Sequence, residues 1–545
     1  MALPASTKTP QVRASIIFGS AGATPSSAPK RILLIGSKIG SDITTTINTS
    51  NSTTTSVTTT AGIAALDVAT RATSPDHAAV LAGRGSELHL AAIATFAQYR
   101  NAEVWLAPLT PGGGAAAGGA TITPTISGLS AGTLRITVMG ESVDIGISAS
   151  DTVSTIGLAI ARAINNQPNW PVVATNTWAT GAVAVSAKWL GPRSNAPTVR
   201  AALLTSVATI EVTNGTGQTA FGLTITMSGG AADGGVYRLS GGATDDNVTN
   251  LLTAITPTKF DRIAFAGYRV SGSASANLAR ITSQLVTLSD NSMFDQQVVF
   301  GSVESPGNNI TVAQGNNSER GQWVGHPGSD DLPLVIAAQV AAARLFGDSV
   351  AGGSIEGEAT NPACNLNDLE FATLRAPRDP ADLYDGTETE AALNAGVTPL
   401  KASPIRTGRM ALVSSITMRS LAGGLPDFSV DKTKEVTVAD WARAAVVASL
   451  QATYRGFNLV NDNPDGTPVL VPKTVSPSAI EERIYGLLKD YEKKGYLTDV
   501  DAHRDEISVT RNGSNPRRVD YTFPTVAPSD YDIADGTIYQ RQASA

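Results

Sequence analysis

Histidine is the side chain best suited to general acid-base work near neutral pH, and this chain has four: His77, His89, His326 and His503. None lies in an HExxH or paired-histidine spacing, and His503, within DAHRDE, reads as a solvated turn residue. The acidic stretch DPADLYDGTETE (379–390) offers oxygen ligands for a divalent cation. It lacks the ligand order around a central glycine that an EF-hand needs, so it reads as a solvated loop. PGGGAAAGGA (111–120) has the glycines of a phosphate loop, but no Lys-Ser or Lys-Thr follows. GSKIGS (36–41) follows a strand-like run yet leads into Thr/Ser-rich sequence instead of a helix, which argues against a dinucleotide fingerprint. No G-x-S-x-G elbow is present. The single cysteine, Cys364, excludes an internal disulfide and a multi-cysteine metal site, and reads as a buried structural thiol. Triads do assemble from residues distant in sequence, but no catalytic, cofactor-binding or metal residue is assigned. The expectation is a chain that is not an enzyme and uses no cofactor.

The elements around these residues indicate an α/β (α+β) chain of several domains, since 545 residues exceed one simple core. Aromatic content is low, and Gly, Ala, Ser and Thr are plentiful, which favours tight packing of small residues. Net charge is −7 with no long basic run, so nucleic acid is not expected as a partner. The N-terminus has no apolar signal-peptide core. LPLVIAAQVAAARLF (332–346) is too short to span a bilayer and is broken by Gln339 and Arg344, so it reads as a buried helix. Cytoplasmic folding without membrane insertion is the expectation.

KRILLIG (30–36) and AEVWLAP (102–108) read as buried strands flanking a helix over 86–99, with 44–60 as a mobile surface loop. Short β-type runs fill 121–236, interrupted by one helix (151–165) capped by Asp151 or Thr152. Gly-rich joints at 111–120 and 229–236 suggest a domain inserted through flexible hinges. The α/β pattern resumes with helices near 245–256 and 274–289, strands at 261–267 and 296–302, and the 332–346 helix. Residues 348–409 read as surface, and GRMALVSSITMR (408–419) as a long strand opening the last unit. Helices follow at 438–454 and 476–497; the second places Ile480, Ile484, Leu487, Leu488 and Tyr491 on one face. The expected organisation is an arm (1–29), an α/β domain (30–110 and 237–407) with an inserted β domain (121–236), a C-terminal domain (408–514) and a second arm (515–545).

Both ends carry strand patterns without a neighbour in sequence. QVRASIIFG (11–19) places Val12, Ala14 and Ile16 on one face, and near the other end Val519, Tyr521 and Phe523 alternate with Asp520 and Thr522. A strand unpaired in its own chain can pair with a neighbour's sheet edge, and such heterologous exchange builds rings or helical lattices.

KRILLIG, RNAEVWLAPL, GRMALVSSITMR, VADWARAAVVASL and the terminal VDYTFPTVAP together resemble the tail sheath proteins of contractile-tailed, Mu-like bacteriophages. The resemblance is spread over the chain and strongest in its C-terminal third. It implies a structural subunit of the virion tail, assembled in the host cytoplasm as stacked hexameric rings. It further implies partners in copies of itself, the tail tube protein, and baseplate and tail terminator proteins. Terminal arms would complete a sheet in a neighbour, the C-terminal domain would lie nearest the tube, and the inserted domain would project outward. Lys489, Lys493 and Lys494 on the 476–497 helix are the tube-facing candidates. A phage-derived bacteriocin or other contractile injection machine fits the same residues. A carbohydrate-binding or carbohydrate-degrading surface protein is the alternative of another class, with Trp170, Trp178 and Trp189 as its aromatic platforms.

Overall fold

The computed structural model describes residues 30–530 apart from 51–52, 213–216, 234–235, 268–272, 293–294, 351–365, 404–406, 428, 465–466, 468 and 470. Val12, Ala14, Ile16 and Cys364 lie outside the described residues. The chain forms two units, divided between residues 436 and 437, with residues 366–436 belonging to the first.

Six parallel strands form the centre of the first unit. Their spatial order is Glu103–Pro108, Arg31–Gly36, Arg262–Ala266, Gln297–Ser302, Gly321–Gly325, Val397–Ala402. Antiparallel strands close both sides: Thr70–Ala72 at one edge, Arg409–Leu412 and then Glu370–Arg375 at the other, making nine in all. Central strands read as continuous apolar runs because parallel sheets are covered on both faces; Ile32 to Gly36 are all buried. One face packs Leu33, Ile35, Ile263, Phe265, Val298, Phe300 and Trp323 into a single core. Helix Pro333–Val350 lies against bare backbone at Gly301, where an added Cβ would come 2.0 Å from the Pro333 carbonyl oxygen. Gly301→Ala is therefore expected to lower stability by about 2–3 kcal/mol through overpacking, read as an earlier midpoint in urea; an unchanged midpoint would mean that this helix moves aside freely.

Several sequence expectations are corrected. The 44–60 stretch is not a loop but a hairpin, Ile43–Asn48 with Thr54–Thr59, because β-branched threonines suit a pleated strand. Its Asn48 backbone N–H donates to Asn176 Oδ1 (2.8 Å), and Asn176 Nδ2 donates back to the Asn48 carbonyl (2.9 Å). Residues 348–409 do not simply cover the surface: strands Glu370–Arg375 and Val397–Ala402 join the main sheet, and Val397–Leu400 are buried. Pro399 masks the second strand, since proline ordinarily argues against a sheet interior. GRMALVSSITMR yields only the short strand Arg409–Leu412, in the first unit and not the last. Beyond it Ser415 leaves the ladder, accepting from Gln322 Nε2 (3.1 Å) and, through its carbonyl, from the Thr433 backbone (3.1 Å). The last unit thus begins near 437 and not 408. Helices Pro75–Ala82 and Pro306–Asn316 had no periodic signal of their own.

The inserted region carries two antiparallel sheets. One has the order Gln218–Ala220, Leu223–Ser228, Gly119–Ile126, Val183–Ala187, Val172–Asn176; the other Thr209–Glu211, Val199–Leu204, Gly132–Val138, Glu141–Ile147. Alternate residues such as Leu134, Ile136, Val138, Val183 and Val185 share a core with Ile156, Ile160 and Ile164 of helix Val153–Asn165. Thr152 caps that helix, exchanging hydrogen bonds with Thr155. The first joint, 111–120, is tied down by pairing and is not a free linker. Ala116 bridges Ala243 and Gly119 bridges Ser240, so entering and leaving strands pair with each other. The glycines serve close approach: a Cβ on Gly118 would sit 2.6 Å from the Ser194 carbonyl oxygen.

In the second unit, helix Pro477–Lys493 buries Ile480, Ile484 and Leu488 against Val446 and Leu450 of helix Thr433–Tyr454. Trp441 packs edge-on to Tyr491 (4.4 Å between centroids) and Tyr496 (5.1 Å). The terminal strand, expected to lack a partner in its own chain, has one: Val519–Thr522 pairs antiparallel with Ser508–Arg511. The Thr498 backbone N–H donates to the Val526 carbonyl (3.0 Å), so the chain beyond Phe523 also runs back over its own unit. A turn at Asn512–Asn515, tied by Asn512 Oδ1 to two backbone amides, makes this hairpin possible. No helix among the described residues is long and apolar enough to cross a membrane.

Candidate functional site

In a doubly wound sheet the place built for a ligand is the crevice outside the carboxyl ends of the strands, where the chain turns from one direction of winding to the other. Here Glu103–Pro108 lies on one side of Arg31–Gly36 and Arg262–Ala266 on the other, so the crevice opens beyond Gly36 and Ala266. Helix Glu87–Gln98 begins there, with Ser86 as its N-cap accepting the His89 backbone N–H at 3.2 Å.

The crevice holds side chains of the protein itself. Glu87, the first helical residue, turns its carboxylate onto the Ser37 backbone N–H (2.8 Å). Arg193 stands on the short 3-10 turn Pro192–Asn195 of the inserted region, and its Nε lies 3.5 Å from the same Glu87 oxygen. Its Nη2 donates to Ser37 Oγ (3.0 Å) and pairs with Asp246, while the guanidinium carbon lies 5.3 Å from the Phe265 ring centroid. All three charged side chains are at most 8% exposed. Burial pushes the Glu87 carboxyl above its ordinary value, against the pull of Arg193 and the Ser37 amide. Asp246 is raised for the same reason. Burial works to lower the Arg193 pKa, but Glu87, Asp246 and Asp245 outweigh it and hold the guanidinium above its usual range.

More inserted-region cations reach the body of the first unit. Lys188 Nζ donates to the Arg84 carbonyl (3.3 Å), and Arg200 pairs with Asp330, which also accepts from Thr198 Oγ1 (2.8 Å). Arg238, fully buried, bridges the Ala196 and Ser329 carbonyls at 2.8 Å each. Burial and then the nearby Arg84 charge pull Lys188 down to about 8.

The histidines form no cluster. His77 Nδ1 meets Thr73 Oγ1 (3.0 Å), and His503 pairs with Glu506 at 2.7 Å. His89 is buried, with Nδ1 accepting from the Gly85 amide (3.0 Å); burial, then Arg84 and Lys188, lower it to about 4. His326 follows strand Gly321–Gly325 and is fully buried, with no hydrogen-bond partner on either ring nitrogen. Burial, then Arg238, lower it to about 3. Among the described residues no group of three or more His, Cys, Asp or Glu could hold a metal ion.

Of the tube-facing candidates, Lys489 is held between Glu492 and Asp501, the latter at 2.9 Å, and Lys493 pairs with Asp490 at 3.5 Å. Lys494 is the C-cap of its helix. Val519, Tyr521 and Phe523 are half-buried against the core of the second unit. As carbohydrate platforms the tryptophans fare poorly: Trp170 and Trp189 are buried and Trp178 is half-buried. Sequence reasoning missed Arg193, Glu87 and Asp246. The available signals were Ser86 followed by an acidic first turn, and a Gly-Pro-Arg-Ser-Asn turn between two strands.

No family model and no curated protein matches the sequence. Among solved structures, the chain is similar to a flagellar cap protein from Escherichia coli, at 17% identity over 33% of this chain and 59% of that one, with a TM-score of 0.10. It is similar to a sheath tail protein from Listeria innocua, at 12% identity over 92% of this chain and 96% of that one, with a TM-score of 0.42. A sheath tail protein from Desulfitobacterium hafniense is similar at 12% identity over 94% of this chain and 100% of that one, with a TM-score of 0.43.

Proposed function

We propose that this chain is a structural subunit of a contractile tail sheath. The observation that carries the reading is the small sheet of the second unit. Ser508–Arg511 and Val519–Thr522 form a sheet of two strands over an apolar core, and among the described residues no third strand joins either edge. Two strands are the least stable size of sheet, and an open edge is a template for another chain. The arm-borne strand pattern at Val12, Ala14 and Ile16 fits such an edge, and the sequence resemblance to Mu-like sheath proteins joins the two.

On this reading, copies polymerise as stacked hexameric rings around a tail tube, between baseplate and terminator proteins, within a virion assembled in the host cytoplasm. The second unit lies innermost and the inserted region projects outward. Contraction re-docks whole subunits into larger interfaces and needs no nucleotide. Its driving force is apolar surface buried between subunits, at about 25 cal/mol per Å² before ordering costs. The role assigned to the C-terminal segment changes: Val519, Tyr521 and Phe523 build the receiving sheet, and the donated strand comes from residues 1–29.

The test is negative-stain electron microscopy of the full chain beside a variant lacking residues 1–29. Rings or tubes from the full chain alone, at equal thermal stability, are the expected result. Monodisperse subunits from the full chain, or equal assembly by both, would overturn the proposal.

A further inference from the structure

Two apolar features of the first unit face outward. One is a strip of four aliphatic side chains: Ile63, Val80, Val68 and Leu66 are 72%, 54%, 47% and 39% exposed. The Ile63 backbone N–H donates to the Val80 carbonyl (3.2 Å), which sets those two side by side. The strip lies at the carboxyl ends of Arg31–Gly36 and Glu103–Pro108, where the Gly62 amide donates to the Ile39 carbonyl (2.9 Å) and the Asp67 amide to that of Pro108 (2.7 Å). The other feature is a tight hairpin, Leu421–Ala422 with Leu425–Pro426, turned by Gly423 and Gly424 at φ of 60° and 84°. It presents Leu425, 71% exposed, and hangs from the amino end of the same sheet. Asn317 Oδ1 accepts the Ser420 and Leu421 amides at 3.0 Å each, and the Met418 amide donates to the carbonyl of Gly321, the first residue of its strand (2.8 Å).

We propose that the strip of Ile63, Leu66, Val68 and Val80 on one copy receives the Leu425 hairpin of a second copy of this chain. The contact rests on the sheath reading for its setting, an assembly of copies, and adds to it a link between first units. Size points to a copy held by other contacts as the occupant. Four side chains at these exposures make a patch within the ~300–600 Å² that a monomer carries, below the ~800 Å² per partner of a stable two-body interface. A free partner would leave such a patch, whereas a copy already held elsewhere meets it at high effective concentration. Charge agrees, since neither AGIAAL (61–66) nor SLAGGLP (420–426) has an ionisable side chain. The charges beside them are already answered: Asp67 accepts from Thr110 Oγ1 (2.7 Å), Asp76 pairs with Arg84 (3.3 Å) and Asp427 with Arg419 (2.9 Å). Because strip and hairpin sit at opposite ends of one parallel sheet, each copy offers its own hairpin onward. The contact therefore repeats as a ring or helix instead of closing as a dimer.

Cysteine pairs test the contact in the full chain, with Cys364→Ser removing the native thiol. Ile63→Cys with Leu425→Cys, and Val80→Cys with Leu425→Cys, are treated with oxidised glutathione; a disulfide needs Cα atoms within about 7 Å. The expected result is a ladder of dimers, trimers and higher species from at least one pair, while chains with a single cysteine stop at dimers. Leu425→Asp, a change at an exposed tip, is expected to keep the melting temperature and to raise the protein concentration needed for assembly at least tenfold. Rings or tubes with no ladder from either pair, or assembly indifferent to Leu425→Asp, would overturn this contact and leave the sheath reading standing. A ladder without rings or tubes would retain the contact and sink the sheath reading. Monomers throughout would overturn both.

Discussion

Replacing Arg193 by methionine is expected to destabilise the first unit by about 3–5 kcal/mol, the range for removing one partner of a buried ion pair. The loss comes less from the attraction forfeited than from what stays behind. Glu87 and Asp246, both at most 8% exposed, would face each other across the crevice with only the Ser37 donors and distant charges to offset them. Adding Glu87→Gln and Asp246→Asn to Arg193→Met should return much of the loss, because a neutral, filled site carries no stranded charge. Urea unfolding at pH 7 measures this. A single variant within about 1 kcal/mol of wild type, well short of the cost of a stranded charge, would mean that water reaches the crevice.

A pH-dependent effect of similar size is expected at His326. Its folded pKa, about 3, lies below the ordinary 6.5, so the folded protein prefers the neutral ring. Stability from that preference is whole above pH 6.5 and falls as pH drops, while the unfolded chain takes up a proton that the folded one refuses. The slope is about 1.4 kcal/mol per pH unit for one such group. Asp331, raised to about 6 by burial, and Glu435, raised to about 7 by burial, act in the opposite direction over much of the same range, so the wild-type profile alone conceals the histidine. His326→Leu isolates it. With no hydrogen bond to either ring nitrogen, the substitution strands no partner. Between pH 6 and pH 4 the variant should gain about 2.5 kcal/mol relative to wild type. A constant difference across that range would show that the buried ring protonates as readily folded as unfolded.

Legibility in the sequence tracked burial. Strands Arg31–Gly36 and Glu103–Pro108 could be read because parallel strands covered on both faces leave uninterrupted apolar runs. Helix Pro477–Lys493 could be read from its 3.6-residue stripe and its Ser-Pro start. The hairpin of threonines could not, since polar low-complexity sequence looks alike whether or not it pairs. Nor could Val397–Ala402, with a proline inside a buried strand. The crevice residues were the least visible: Glu87, Arg193 and Asp246 are spread over 160 residues of sequence and meet only because the insert folds back onto the sheet. The terminal strand is legible as a strand, and its partner was legible too: Asn512-Gly513, directly after Ser508–Arg511, is a hairpin signal that the expectation of a partnerless strand passed over.

The pairing of Ala116 with Ala243 and of Gly119 with Ser240 has an evolutionary consequence. A segment that enters and leaves a scaffold through adjoining strands can be lost, enlarged or exchanged in descent without disturbing the path of the chain on either side. Here that liberty carries a condition. Any successor to the present insert must bring a cation to the place where Arg193 now stands, or arrive together with changes at Glu87 and Asp246. Lineages that remodel this region should therefore vary widely in its loops and sheets while position 193 and the two carboxylates change together or not at all.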